Sequence, residues 1–208
     1  MGEYHKIETL FARDETTKKL MPNVFRNTAV MYLQHNVWEF TEKIDGTNIR
    51  VMWDGHKVSF GGRTDNAQLP VPLHTRLVEL FGGGVNEQLF EQKFGESPVM
   101  LVGEGYGGKI QKGSAYKETQ DFILFDVRVN HSWLSREQVE DVAQYFGIDA
   151  VPIALTGTIQ QAIDYVSSAP DSFIGTAKSE GVVGRPRFEL YDNRGNRVIV
   201  KIKVSDFT

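Results

Sequence analysis

The chain has 208 residues, 40% of them hydrophobic and 24% charged, with a formal net charge of −4. That composition suits a globular chain able to bury its own core, and Cys 0 excludes disulfides and thiolate metal ligands. The acidic balance excludes a uniformly basic nucleic-acid coat, although 23 Lys+Arg are enough to line one local groove.

Residues 1–36 are mixed polar, and Asp14-Glu15-Thr16 reads as a capping-like signal ahead of Lys18-Lys19-Leu20. Residues 37–63 read as strands, ending in "KVSFGGRT". Within them, "EFTEKIDGTNIRVMWDG" places Asp45-Gly46 between two apolar runs, so Lys43 is expected at the lip of a hairpin-like connection. "LHTRLVELFGGGVNEQLFEQKFG" predicts two amphipathic helices broken at Gly82-Gly83-Gly84. "SPVMLVGEGYGGKI" and "DFILFDVRV" predict buried strands, being rich in β-branched and aromatic residues. Ser135 with Gln138 is a capping box opening a helix that Gly147 stops, and Thr158 with Gln161 opens another that ends before Ala169-Pro170. "EGVVGRP" and "ELYDNRGNRVIVKIKV" return to strands, the latter as a hairpin around Asp192-Asn193-Arg194-Gly195. The expected fold is α+β, antiparallel β-sheets flanked by helices. No Pro/Gly-dense linker interrupts it, so a single domain over 1–208 is expected. With no membrane-length apolar run and no signal pattern at the N-terminus, the expected location is cytoplasmic (the host cell's, if the chain is phage-encoded).

Some segments bear on chemistry. "GEGYGGKI" nearly spells a phosphate-binding loop, but Ile110 follows Lys109 where Ser or Thr should hold a metal, and no helical pattern comes next. What remains is Glu104 at the end of an apolar strand, where a carboxylate needs a partner, a metal or a ligand hydroxyl. In "VIVKIKVSDF" alternation puts Lys201 and Lys203 on one face of a strand, either an anion site or a solvated edge. In "FILFDVRV" the same alternation puts Phe125 and Asp126 on opposite faces. By itself, Lys43 reads first as a solvated loop lysine rather than a reactive one.

In order, these segments resemble the covalent nucleotidyltransferase superfamily of ATP-dependent ligases and mRNA capping enzymes. "KIDG" is similar to its first motif, "EGVV" to its fourth and "VKIK" to its fifth; "GEGYGG" and "FILFDV" resemble the segments carrying a ribose-facing glutamate and a purine-stacking aromatic. Asn48 after "KIDGT", where DNA ligases typically carry Arg, narrows the resemblance to the double-strand RNA ligase group of phage RNA-repair and kinetoplastid editing ligases. Arg63 in "FGGRT" falls where that group keeps an arginine.

The resemblance implies an ATP-grasp-like ligase fold and an adenylyltransferase domain without a C-terminal accessory domain. It implies Lys43 as nucleophile forming lysyl-AMP from ATP, with Lys201 and Lys203 as catalytic cations on the phosphates. Glu180, then Asp45, would hold Mg²⁺ or Mn²⁺. Asn48, Arg63 and Glu104 would face the ribose, Phe125 would stack on adenine, and backbone groups at Glu42 and Ile44 would read its edge; Tyr4 is a loose further match. The implied partner is RNA with 5′-phosphate and 3′-hydroxyl ends, as a nicked duplex, handled by a monomer with no membrane. Rival readings are a DNA nick ligase, a capping guanylyltransferase, and a nucleotide- or RNA-end-binding module that lacks ligation.

Overall fold

A computed structural model describes residues 2–207. In chain order the elements begin with β1 (Glu8–Thr9), β2 (Phe11–Arg13), β3 (Leu20–Phe25) and α1 (Thr28–Tyr32). Next come β4 (Trp38–Glu42), β5 (Thr47–Trp53), β6 (Val58–Gly62), α2 (Val71–Phe81), α3 (Gly83–Phe94) and β7 (Val99–Tyr106). Then follow β8 (Asp121–Val129), β9 (Ser132–Trp133), α4 (Arg136–Phe146), β10 (Asp149–Ala150) and β11 (Ile153–Gly157). The chain finishes with α5 (Ile159–Ser167), β12 (Gly181–Pro186) and β13 (Val200–Lys203).

These elements form two compact units. The first holds the residues up to His5 together with Asp45–Val151, and the second holds Lys6–Ile44 and the residues from Pro152 onward. No Pro- or Gly-rich linker marks the crossings, at His5–Lys6, Ile44–Asp45 and Val151–Pro152.

In the first unit, the sheet runs β10-β8-β7-β5-β6, with β9 added to β8. All its pairs are antiparallel except β10 with β8. Alternation along β5 buries Ile49, Val51 and Trp53 against a core that α2 completes with Leu73, Leu77 and Phe81, one helical turn apart. Phe90 of α3 and Phe146 of α4 join it, their ring centroids 4.5 Å apart. Helix α4 starts on the Ser135–Gln138 capping box and stops at Gly147 in the left-handed region, φ 63°. Arg50, between the buried apolar residues of β5, is 0% exposed. Its guanidinium donates to the Gly62 carbonyl at 2.6 Å and to Asp65 at 2.7 Å, so the charge is buried but satisfied.

The second unit has a five-stranded sheet ordered β1-β13-β12-β4-β11, and a separate β2–β3 pair. Its core gathers Trp38, Phe40, Val182, Val200 and Ile202 from the sheet with Ile159, Ala162 and Val166 of α5. Thr158 and Gln161 cap α5 reciprocally, as their spacing predicts.

Some sequence expectations are corrected. β4 and β5 form no hairpin: β4 pairs with β12 and β11, while β5 pairs with β6 and β7 in the other sheet. Two adjacent apolar runs joined by Asp-Gly are therefore a sheet-to-sheet crossing. Asp14 caps no helix; its Oδ1 accepts from the Thr16 and Thr17 amides in the β2–β3 turn. The helix in this region is α1, capped by Asn27. The segment around Asp192–Gly195 does turn back on itself, but through an isolated Tyr191–Arg197 bridge rather than paired strands.

Candidate active site

In the second unit, β4 ends at Glu42 and Lys43 follows directly. The Lys43 amide donates to the Gly181 carbonyl at 2.9 Å, which prolongs the β4–β12 pairing by one residue. Gly181 in turn lies opposite Lys203 of β13. Cross-strand neighbours in a sheet are close, so adjacency in the order β13-β12-β4 brings Lys43, Glu180 and Lys203 together. Glu180 Oε2 accepts from Lys43 Nζ, and its Oε1 lies 3.1 Å from Lys203 Nζ.

Gly181 is required where it stands. It adopts φ +146°, and a Cβ there would overlap the Ile202 carbonyl oxygen and come within 2.8 Å of Lys203 Cα. Lys201 shares the non-core face of β13 with Lys203, as alternation predicts, since Val200 and Ile202 are buried. Burial, then the charges of Lys43, Lys203 and Lys6, hold the Lys201 ammonium below the usual lysine range, against the opposing pull of Glu180. The cluster therefore has more cation than anion.

Glu42 and Ile44, on either side of Lys43, are 2% and 3% exposed. Glu42 Oε2 accepts from the Phe173 amide at 3.0 Å, while Oε1 has no hydrogen-bond partner among the described residues. Burial pushes the Glu42 carboxyl up, opposed by the hydrogen bonds from Ser172 and Phe173.

The first unit holds the remaining residues singled out by sequence. Asn48 on β5 lies directly opposite Glu104 on β7. Asn48 Oδ1 is buried without a hydrogen-bond partner among the described residues. Beside them the two strands approach closely: a Cβ on Gly46 would overlap the Gly105 carbonyl oxygen. The Asp45 amide donates to the Tyr116 hydroxyl at 3.3 Å. Arg63 follows β6 and is exposed.

Phe125 differs from expectation. Val102 pairs with Asp126 but Gly103 with Leu124, so Phe125 is the extra residue of a β-bulge. Simple alternation fails there, and Phe125 and Asp126 both reach Tyr4. The Tyr4 hydroxyl donates to Asp126 Oδ2 at 2.9 Å, and its ring centroid lies 5.7 Å from that of Phe125. Tyr4, a loose sequence match, is 5% exposed and built into this cluster. Asp126 gave only a weak sequence signal, because nothing local announces a partner 122 residues away.

Among the described residues no group of three or more His, Asp or Glu gathers as a metal cage. In the lysine cluster Glu180 offers one carboxylate, its oxygens facing Lys43 and Lys203. That donor set fits Mg²⁺ or Mn²⁺ held mainly by water and phosphate oxygens, and does not fit an all-protein site.

The RNA ligase family model matches residues 36–203, a span that starts ahead of β4 and ends on Lys203. The chain belongs to the RNA ligase family. A search of curated proteins found no match. Solved structures similar to this RNA ligase family member include variants of Naegleria gruberi RNA ligase. One with ATP and Mn has a TM-score of 0.65 at 16% identity, covering 97% of this chain and 61% of that chain. An apo variant gives 0.66 at 17% identity over 100% and 59%. A variant with AMP and Mn gives 0.63 at 17% identity over 97% and 62%. The chain thus spans about three fifths of the length of those ligases, and at this identity the likeness establishes the shared fold.

Proposed function

We propose that this protein is an ATP-dependent RNA ligase that works through lysyl-AMP at Lys43. The observation that carries the reading is the contact of Lys43 and Lys203 with the two oxygens of Glu180, with Lys201 on the same face of β13. Such an excess of ammonium groups suits the phosphates of a nucleotide, and the similar Naegleria gruberi ligase structures hold ATP or AMP with Mn.

In the first step Lys43 Nζ attacks the α-phosphorus of ATP. A nitrogen–phosphorus bond forms, the bond to the bridging oxygen breaks, and pyrophosphate leaves with that electron pair. The amine sheds its proton toward Glu180, whose Oε2 already accepts from Nζ. Lys201 and Lys203 neutralise charge on the phosphate oxygens as the bond forms, which is where fixed cations contribute most. Splitting one condensation into steps with good leaving groups is the gain from the covalent intermediate. AMP then passes to an RNA 5′-phosphate, and a 3′-hydroxyl displaces it to close the phosphodiester.

Glu180, through water, would hold Mg²⁺ or Mn²⁺, with Asp45 as the second candidate; a bound ion supplies charge neutralisation on the phosphates. For the nucleoside, Glu104, Asn48 and Arg63 would meet the ribose and Phe125 would stack on adenine, with backbone at Glu42 and Ile44 reading the base edge. Asn48 and the family membership favour RNA, as a nicked duplex, over a DNA nick. Incubation with α-labelled ATP and a divalent cation, then with nicked RNA, DNA and hybrid duplexes, tests both stages. Label on the wild type but not on Lys43→Ala, chased into a joined RNA strand, is the expected result. Label retained by Lys43→Ala would move the nucleophile elsewhere.

A further inference from the structure

The excursion between β12 and β13, residues 187–199, has no part in the lysine cluster. Within it Phe188 is 77% exposed and Tyr191 49%. Both of its acids are engaged within the excursion itself. Glu189 accepts from Arg197 at 2.7 and 2.8 Å, and Arg197 is itself 3% exposed. Asp192 accepts from the Asn196 side chain at 3.0 Å and from the Asn196 and Arg194 amides at 2.9 and 2.8 Å. Those bonds, the Asn196 side chain first, hold the Asp192 carboxyl below the usual range. Arg187 and Arg194 are left exposed beside the rings. A chain with a net charge of −4 thus presents here a turn folded on its own ion pair, offering outward aromatic rings and guanidinium groups.

We propose that this turn is a contact surface for an RNA strand. Exposed aromatic side chains stack on unpaired bases whatever their identity, and guanidinium groups fork onto phosphates. Pairing with Arg197 cancels the charge of Glu189, while Asp192 stays anionic and the charge of Arg194 beside it offsets its repulsion of a phosphate backbone. The Glu189–Arg197 pair keeps the turn in shape when it is empty, so little ordering is lost on binding. This deepens the reading of RNA as the substrate and rests on it.

The test measures binding of the whole chain to a 5′-phosphorylated nicked RNA duplex and to a single strand across a salt series, with self-adenylylation measured separately. Arg187→Gln with Arg194→Gln should weaken RNA binding about tenfold at low salt and flatten the salt slope by about 1.5 to 2. Phe188→Ala should weaken binding about tenfold with the slope unchanged. AMP labelling, which needs no RNA, should stay at the wild-type level in each. Unchanged RNA affinity and slope in folded, labelling-competent variants would overturn the proposal. So would self-association of the wild type that Phe188→Ala abolishes while RNA binding persists, which would assign the patch to a second copy of the chain. A wild type that labels but binds no RNA sinks this proposal and leaves the Lys43 chemistry standing. RNA binding that depends on the turn, without labelling, does the reverse.

Discussion

In the second unit β4, β12 and β13 bring ionisable side chains to neighbouring strand ends, where Lys43, Glu180 and Lys203 touch. In the first unit β5 and β7 place Asn48 opposite Glu104 within a sheet whose other face is filled with aromatic and branched side chains. The first arrangement gathers like charges and tolerates them because the side chains keep partial exposure, 23% for Lys43 and Glu180 and 31% for Lys203. The second keeps one buried acceptor, Asn48 Oδ1, with no hydrogen-bond partner among the described residues. Charge concentrated on one sheet suits bond-making at a phosphate, while an isolated buried acceptor suits recognition of a neutral ligand group. The difference predicts that substitutions in the second unit act on rate and those in the first on nucleotide affinity.

The sharpest break is Lys43→Ala, expected to abolish covalent AMP while leaving the thermal transition within a few degrees of wild type; a labelling gel and a melting curve read both. Gly181→Ala should come next. Its Cβ meets the Ile202 carbonyl, so strand β12 must shift, displacing the backbone that fixes Lys43. A cost of about 1–3 kcal/mol in stability, with labelling largely lost, is expected. Wild-type melting and labelling would show that the close approach is dispensable.

Lys203→Ala against Phe125→Ala tests the comparison directly. The lysine variant should lower the rate of adenylylation more than it raises KM for ATP, and the phenylalanine variant the reverse. Loss of a stacked base is worth about 1–3 kcal/mol of binding. Equal effects on both parameters in both variants would erase the division of labour.

The smallest effects concern charge. Lys201→Met should lose activity yet melt a few degrees higher, because the fold holds this ammonium against burial and against Lys43 and Lys203. Glu42→Gln should show a pH signature. Burial raises the folded carboxyl, so the unfolded chain ionises first and stability falls as pH rises from the ordinary carboxylate range through the folded value. The Gln variant should therefore gain on wild type in neutral buffer and lose that gain in acid, as a pH series of melting curves would register.

Much of the local structure was legible in the sequence. Periodicity and capping placed α2, α4 and α5, since a buried stripe and a satisfied helix end leave short-range marks. Alternation on "VKIK" placed Lys201 and Lys203 on one face because strand geometry needs no tertiary partner to set it. Other elements were not legible. β1, β10 and β9 are two residues long and exist only through pairing with β13 or β8. The bulge at Phe125 arises from the register with β7, so alternation wrongly separates Phe125 from Asp126. The Asp45-Gly46 turn signal suggests a hairpin, but turn chemistry reports a change of direction and not which strands then pair.

The sequence by itself determined the chemical types in play: which strands carry lysines and acids, where α4 and α5 start, and that no thiol takes part. Only the tertiary structure decided which of them meet. Lys43 and Glu180 are 137 residues apart along the chain, and hydrogen-bonded pairing of β4, β12 and β13 supplies the contact. Side-chain chemistry and local backbone preference act over a few residues and are written locally; strand order is set by burying two separate cores at once, a sum over the whole chain that no short stretch contains.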